Sequence, residues 1–137
     1  MTRDTVPRIL IVDDETIVAE SCRRILAAEG LTVTVSHDAA SALQTLSETG
    51  PFDLMICDIK MPGRDGFQLI RDVRRRCGSM AFLVMTGYLT AETVAAGKSS
   101  GAEGFVAKPF TPEELLAAVW KTIGRPYQNQ TPGGNDE

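Results

Sequence analysis

The feature that most constrains this chain is an alternation: short continuous runs of aliphatic residues are each followed by a stretch whose apolar residues recur at helical spacing, five times over. The first run, residues 9–12, lies between Pro7 and Arg8 on one side and a row of acids on the other. Such a run fits a strand covered on both faces. Residues 16–29 then place Val18, Cys22, Ile25 and Leu26 on one side of a helix, with Gly30 where the chain would leave it. Further strands are expected over 31–35, 54–57, 81–85 and 104–107. Further helices are expected over 39–48, around Phe67, Ile70 and Val73, over 91–100, and after Thr111. Gly97 weakens the fourth helix by about 1 kcal/mol relative to alanine. The last helix is the most clearly marked: Thr111 can cap it, Pro112 suits its first position and Glu114 completes a capping box.

Five strand–helix units imply one α/β domain, a doubly wound parallel sheet with right-handed crossovers and helices on both faces. The domain is expected over 7–124, after a flexible N-terminus of residues 1–6. Residues 125–137 have almost no apolar content and read as a disordered tail or a linker stub. The chain has 137 residues, 43% of them hydrophobic, enough for a single core without disulfide or metal staples. Fourteen basic and 18 acidic residues give a net charge of -4 with no basic stripe, which argues against direct nucleic-acid binding. Cys22, Cys57 and Cys77 are odd in number and lack paired spacing, so neither a disulfide framework nor a zinc site is expected. No stretch approaches the roughly 18 apolar residues of a membrane span, and a reducing cytoplasm is the expected compartment.

In a doubly wound sheet the ligand site lies beyond the carboxyl ends of the strands, where strand order reverses. Here the first strand runs into Asp13, Asp14 and Glu15, the third into Asp58, the fourth into Thr86 and the fifth into Lys108 and Pro109. If these ends converge, their carboxylates repel one another and call for a cation. Oxygen donors with room for water suit Mg²⁺. A carboxylate is also a competent nucleophile for phosphoryl transfer when a metal and a lysine neutralise the moving group. Asp58 would attack, Asp13 and Asp14 would hold the metal, and Lys108 and the Thr86 hydroxyl would bind phosphoryl oxygens.

Through ILIVDDE, DLMICDIKMPGRDG, VMTG and GFVAKPF, taken in this order over residues 7–124, the chain resembles the receiver domains of two-component response regulators. The resemblance implies a flavodoxin-like (βα)5 fold with strand order 2-1-3-4-5. It implies that Asp58 is the phosphoacceptor, that Mg²⁺, or Mn²⁺ in its place, is held by Asp13, Asp14, Asp58 and the backbone carbonyl of Lys60, and that Lys108–Pro109 is a cis peptide. It further implies a switch in which Thr86 moves toward the phosphoryl group and Phe105 turns inward behind it. Having no hydroxyl, Phe105 needs no polar partner there. Lys60 and Tyr88 stand at positions that tune the lifetime of the aspartyl phosphate by controlling water, in a direction the sequence leaves open. The implied donor is a histidine kinase or a histidine phosphotransfer protein. The implied output is an effector or a second copy engaged through the face of helix 4, strand 5 and helix 5.

Other residues invite plainer readings. His37, beside Asp38, is expected at the surface or in a helix cap, with no function. Arg71, Arg74, Arg75 and Arg76 at the end of the third helix are expected on a solvated face that complements the helix dipole. Cys57 should point into the core. Two other functions compete with the phospho-switch. One is an aspartyl-phosphate phosphatase of the haloacid-dehalogenase type, which carries an acid two residues after its nucleophile where this chain has Lys60. The other is a receiver serving only as a scaffold, although such proteins usually lose an acid or the lysine and none is lost here. The chain is either a stand-alone regulator or a receiver excised from a larger regulator or hybrid kinase.

Overall fold

The computed structural model describes residues 6–60 and 65–124. The expected N-terminal and C-terminal tails, and residues 61–64 within the DLMICDIKMPGRDG stretch, lie largely or wholly outside those residues. Ten elements alternate along the chain: β1 (Arg8–Val12), α1 (Thr16–Ala28), β2 (Thr32–Ser36), α2 (Ala39–Thr49), β3 (Leu54–Asp58), α3 (Gly66–Arg76), β4 (Ala81–Thr86), α4 (Ala91–Ser100), β5 (Gly104–Ala107) and α5 (Pro112–Ile123). The five strands form one parallel sheet in the order β2-β1-β3-β4-β5.

The aliphatic runs are continuous because both faces of the sheet are covered. Successive strand residues point to opposite faces. Leu10, Val12, Met55, Cys57, Phe82 and Val84 join one core with α2 and α3 residues. Their neighbours Ile9, Ile11, Leu54, Ile56, Leu83 and Met85 join a second core with residues of α1 and α5. At about 25 cal/mol per Å² of apolar surface, these two layers supply most of the drive to fold.

Helix ends explain the small differences from the expected boundaries. Gly30 follows α1 at φ +85, with its N–H on the Ala27 carbonyl, and the Leu31 N–H reaches back to Leu26. Leu31 is thereby spent on closing the helix, so β2 begins one residue later than its apolar pattern suggests. At α5, the Thr111 side chain accepts from the Glu114 N–H while Glu114 accepts from the Thr111 N–H. Two expected features have contacts that the sequence does not announce. Gly97 does not merely weaken α4: a Cβ there would stand 2.4 Å from the Phe105 ring, so the glycine is what lets that ring lie against the helix. The arginines of α3 are exposed, as expected of a solvated face, and two of them also reach the end of α4: Arg71 donates to Ser100 Oγ at 3.1 Å and Arg74 donates to the Gly101 carbonyl at 3.4 Å.

Candidate functional site

β1, β3, β4 and β5 end at one edge of the sheet, and a cleft of about 340 Å³ opens there. β1 lies between β2 and β3 and delivers Asp13, which is fully buried, followed by the exposed Asp14 and Glu15. β3 ends on Asp58, 6% exposed. The start of α3 presses against that strand end: the Gly66 N–H donates to the Ile59 carbonyl, and a Cβ on Gly66 would lie 2.6 Å from the Asp58 carbonyl oxygen. Only glycine permits that approach.

The cation and the carboxylates form one network. Lys108 Nζ donates to Asp58 Oδ2 at 3.0 Å, to Glu15 Oε1 at 3.1 Å and to Asp13 Oδ2 at 3.2 Å. The second oxygens of the two buried aspartates are also engaged: Asp13 Oδ1 accepts from the Glu15 N–H, and Asp58 Oδ1 accepts from the Lys60 N–H. Thr86 Oγ1 accepts from the Tyr88 N–H at 3.0 Å, and the Lys108 N–H donates to the Thr86 carbonyl, which ties the ends of β4 and β5 together. The Lys108–Pro109 peptide is cis.

Burial raises the Asp13 carboxyl above the ordinary carboxylate range, and the Asp58 charge adds to this; the Glu15 N–H and Lys108 oppose it. Burial also works against the charge on Lys108. Its hydrogen bonds to Asp58 and Glu15, together with the charge of Asp13, outweigh that effect and hold its ammonium above the ordinary lysine value. Lys108 is therefore protonated at neutral pH. Cys57, beside Asp58, is fully buried, and burial drives its thiol far up; burial likewise pushes the Cys22 thiol up to about 11. Both stay protonated and are poor nucleophiles.

Asp13, Asp14 and Asp58 each offer an oxygen within 4.8 Å of the others. Three hard oxygen donors, two of them buried, with Asp14 and Asp58 lining an open cleft that has room for water, fit Mg²⁺ or Mn²⁺ better than softer metals. Across the cleft, Lys60 Nζ stands 4.1 Å from the centre of the Tyr88 ring, and the tyrosine is itself 62% exposed. Asp13, Asp14, Asp58, Lys60, Thr86, Tyr88 and Lys108 thus meet. Phe105 does not line this cleft: it is half-buried on β5, with its ring against Gly97.

Two contributors are not apparent from sequence alone. Glu15, the third acid of its run, is a partner of Lys108. His37 is exposed, as its surroundings suggest, but it does not cap α2; Asp38 does, accepting from the Ser41 N–H. His37 Nδ1 instead lies 3.1 Å from the Asp13 carbonyl oxygen. Local sequence carries no signal of this contact, which exists because β2 lies beside β1.

A doubly wound sheet with an acid trio, a threonine and a lysine at its switch point defines an aspartate-centred receiver. The family model described as "Response regulator receiver domain" matches residues 9–120, and the chain belongs to that family, a component of two-component signal transduction. It is 39% identical over 118 residues to Response regulator MprA of Mycobacterium ulcerans, covering 86% of this chain and 50% of that protein. The chain thus spans about half the length of the curated relatives it matches. Among solved structures, the chemotaxis protein CheY4 of Vibrio cholerae superposes with a TM-score of 0.83 at 29% identity, over 86% of this chain and 99% of that one. A CheY-like response regulator receiver domain protein from Methanospirillum hungatei does so with a TM-score of 0.80 at 31% identity, over 87% and 94%.

Proposed function

We propose that this receiver is a phosphorylation switch that takes a phosphoryl group from a phosphohistidine onto Asp58. The observation that carries the reading is Lys108, whose ammonium bridges the buried carboxylates of Asp13 and Asp58. A carboxylate oxygen of Asp58 attacks phosphorus, the phosphorus–nitrogen bond breaks, and its electron pair returns to the donor imidazole. Lys108 is poised to exchange a carboxylate partner for a phosphoryl oxygen, and the Thr86 hydroxyl, whose oxygen accepts from the Tyr88 N–H, has its own proton to donate to another. Such transfer is governed by positioning and electrostatics. Asp13, Asp14, Asp58 and the Lys60 carbonyl would hold Mg²⁺, which when bound neutralises charge on the phosphoryl oxygens.

Lys60 and Tyr88 together screen one side of the cleft, and on this reading they slow the approach of hydrolytic water. The side chain two residues after Asp58 stacks on a tyrosine and is cationic, which disfavours a haloacid-dehalogenase type of phosphatase. Movement of Thr86 and Phe105 then shifts the population of arrangements of α4, β5 and α5, the face offered to an effector or a second copy. The donor is a histidine kinase or phosphotransfer protein, and the expected compartment is the cytoplasm.

The test is incubation with phosphoramidate, whose phosphorus–nitrogen bond mimics the donor, followed by intact-mass measurement. Incorporation should require Mg²⁺ and disappear in Asp58→Asn. Incorporation that persists in that variant sinks the assignment.

A further inference from the structure

Every polar group of Asp13 has a partner. Its N–H donates to the Ser36 carbonyl at 3.1 Å, its Oδ1 accepts from the Glu15 N–H at 2.9 Å, and its Oδ2 accepts from Lys108 at 3.2 Å. The fourth group, the main-chain carbonyl, lies 3.1 Å from His37 Nδ1. A carbonyl oxygen only accepts, so Nδ1 carries the proton and donates. Ser36 ends β2 and His37 follows it, so the end of one strand grips residue 13 from both sides of its backbone. Just beyond that grip the chain turns to present Asp14 and Glu15. Asp13 and Asp14 are two of the three carboxylates that meet within 4.8 Å.

We propose that His37 is a positioning residue of the cation site: by holding the Asp13 carbonyl, it fixes the turn on which Asp13 and Asp14 converge with Asp58. The imidazole itself touches neither cation nor phosphoryl group. His37 is exposed and contributes to neither core, so its loss leaves the fold intact while loosening the turn. This inference rests on the metal-assisted reading of the site, and the experiment below separates the two.

His37→Ala and His37→Asn are compared with the unaltered chain; the asparagine amide places an N–H donor close to the position of Nδ1. Mg²⁺ alone is titrated by calorimetry, and amide hydrogen exchange at Asp14 and Glu15 is followed in metal-free protein. A net hydrogen bond of ordinary strength predicts about threefold to tenfold weaker Mg²⁺ binding in His37→Ala. The same variant should show faster exchange at Glu15 and an unchanged melting temperature, and His37→Asn should restore both binding and exchange. Unaltered Mg²⁺ affinity and exchange in His37→Ala overturn the proposal, as does a failure of His37→Asn to rescue. If the unaltered chain binds no Mg²⁺, the metal reading falls, and the exchange at Glu15 alone decides the role of His37.

Discussion

Replacing Lys108 by methionine keeps most of the volume of the side chain, shortened by its terminal atom, while removing its charge. The side chain of Lys108 is 17% exposed, and the side chains of its partners Asp13 and Asp58 are 0% and 9% exposed, against 60% for that of Glu15. The bond to exposed Glu15 contributes little, as surface pairs do. The two buried carboxylates each lose a charge-assisted hydrogen bond, a contribution of about 1.5 to 3 kcal/mol apiece. Relief from burying the ammonium offsets part of the loss, leaving a net destabilisation of about 2–3 kcal/mol near neutral pH. For a domain of this size that is a fall of roughly 8–15 °C in Tm. The sign with pH follows from the two shifted groups. The carboxyl of Asp13 is raised above 3.8, so its ionisation opposes folding as pH rises past that value, and Lys108 counters the effect. Lys108 is raised above 10.5, so its contribution is complete below that value and is lost as pH climbs through the higher folded value. The deficit of the variant should therefore open from acid to neutral pH and narrow again in strong alkali. Urea unfolding of metal-free protein at a series of pH values measures it. A deficit that does not vary with pH would mean that lost packing, not the charge network, is responsible.

Three further outcomes follow from the same contacts. Gly97→Ala should destabilise the protein by about 1–3 kcal/mol because its methyl group meets the Phe105 ring; Phe105→Leu should relieve much of that cost in a double-mutant cycle, and additivity would contradict the contact. Thr111→Ala should cost about 1 kcal/mol in urea unfolding through loss of the capping box. Tyr88→Ala removes the ring under Lys60 and should shorten the lifetime of the phosphorylated form several-fold in a phosphate-release assay, whereas an unchanged or longer lifetime would discount the screening role.

What the sequence reveals of this fold is what local chemistry controls. Aliphatic runs with both faces covered, the capping box at Thr111 and the acids ending β1 all state their positions directly. Convergence of the strand ends follows from the alternation of elements together with the rule for doubly wound sheets. Less legible are contacts that exist only once strands are neighbours. Glu15 reaches Lys108 across 93 positions of sequence, and His37 reaches Asp13 across 24. Gly97 looks like a helix defect until Phe105 is laid across it. The contact that exposed Arg71 makes with Ser100 at 3.1 Å appears only once α4 lies beside α3. The cis peptide at Gly50–Pro51 leaves no mark in the surrounding residues that distinguishes it from a trans bond.

On the proposed function, Asp58 is where the phosphoryl group arrives. Phosphorylation of the unaltered chain with phosphoramidate and Mg²⁺, followed by borohydride reduction of the acyl phosphate and peptide mass spectrometry, identifies the acceptor directly. One reduced residue is expected, at position 58, and none when Mg²⁺ is withheld. Reduction at Asp13 or Asp14, or labelling that is indifferent to Mg²⁺, would contradict it.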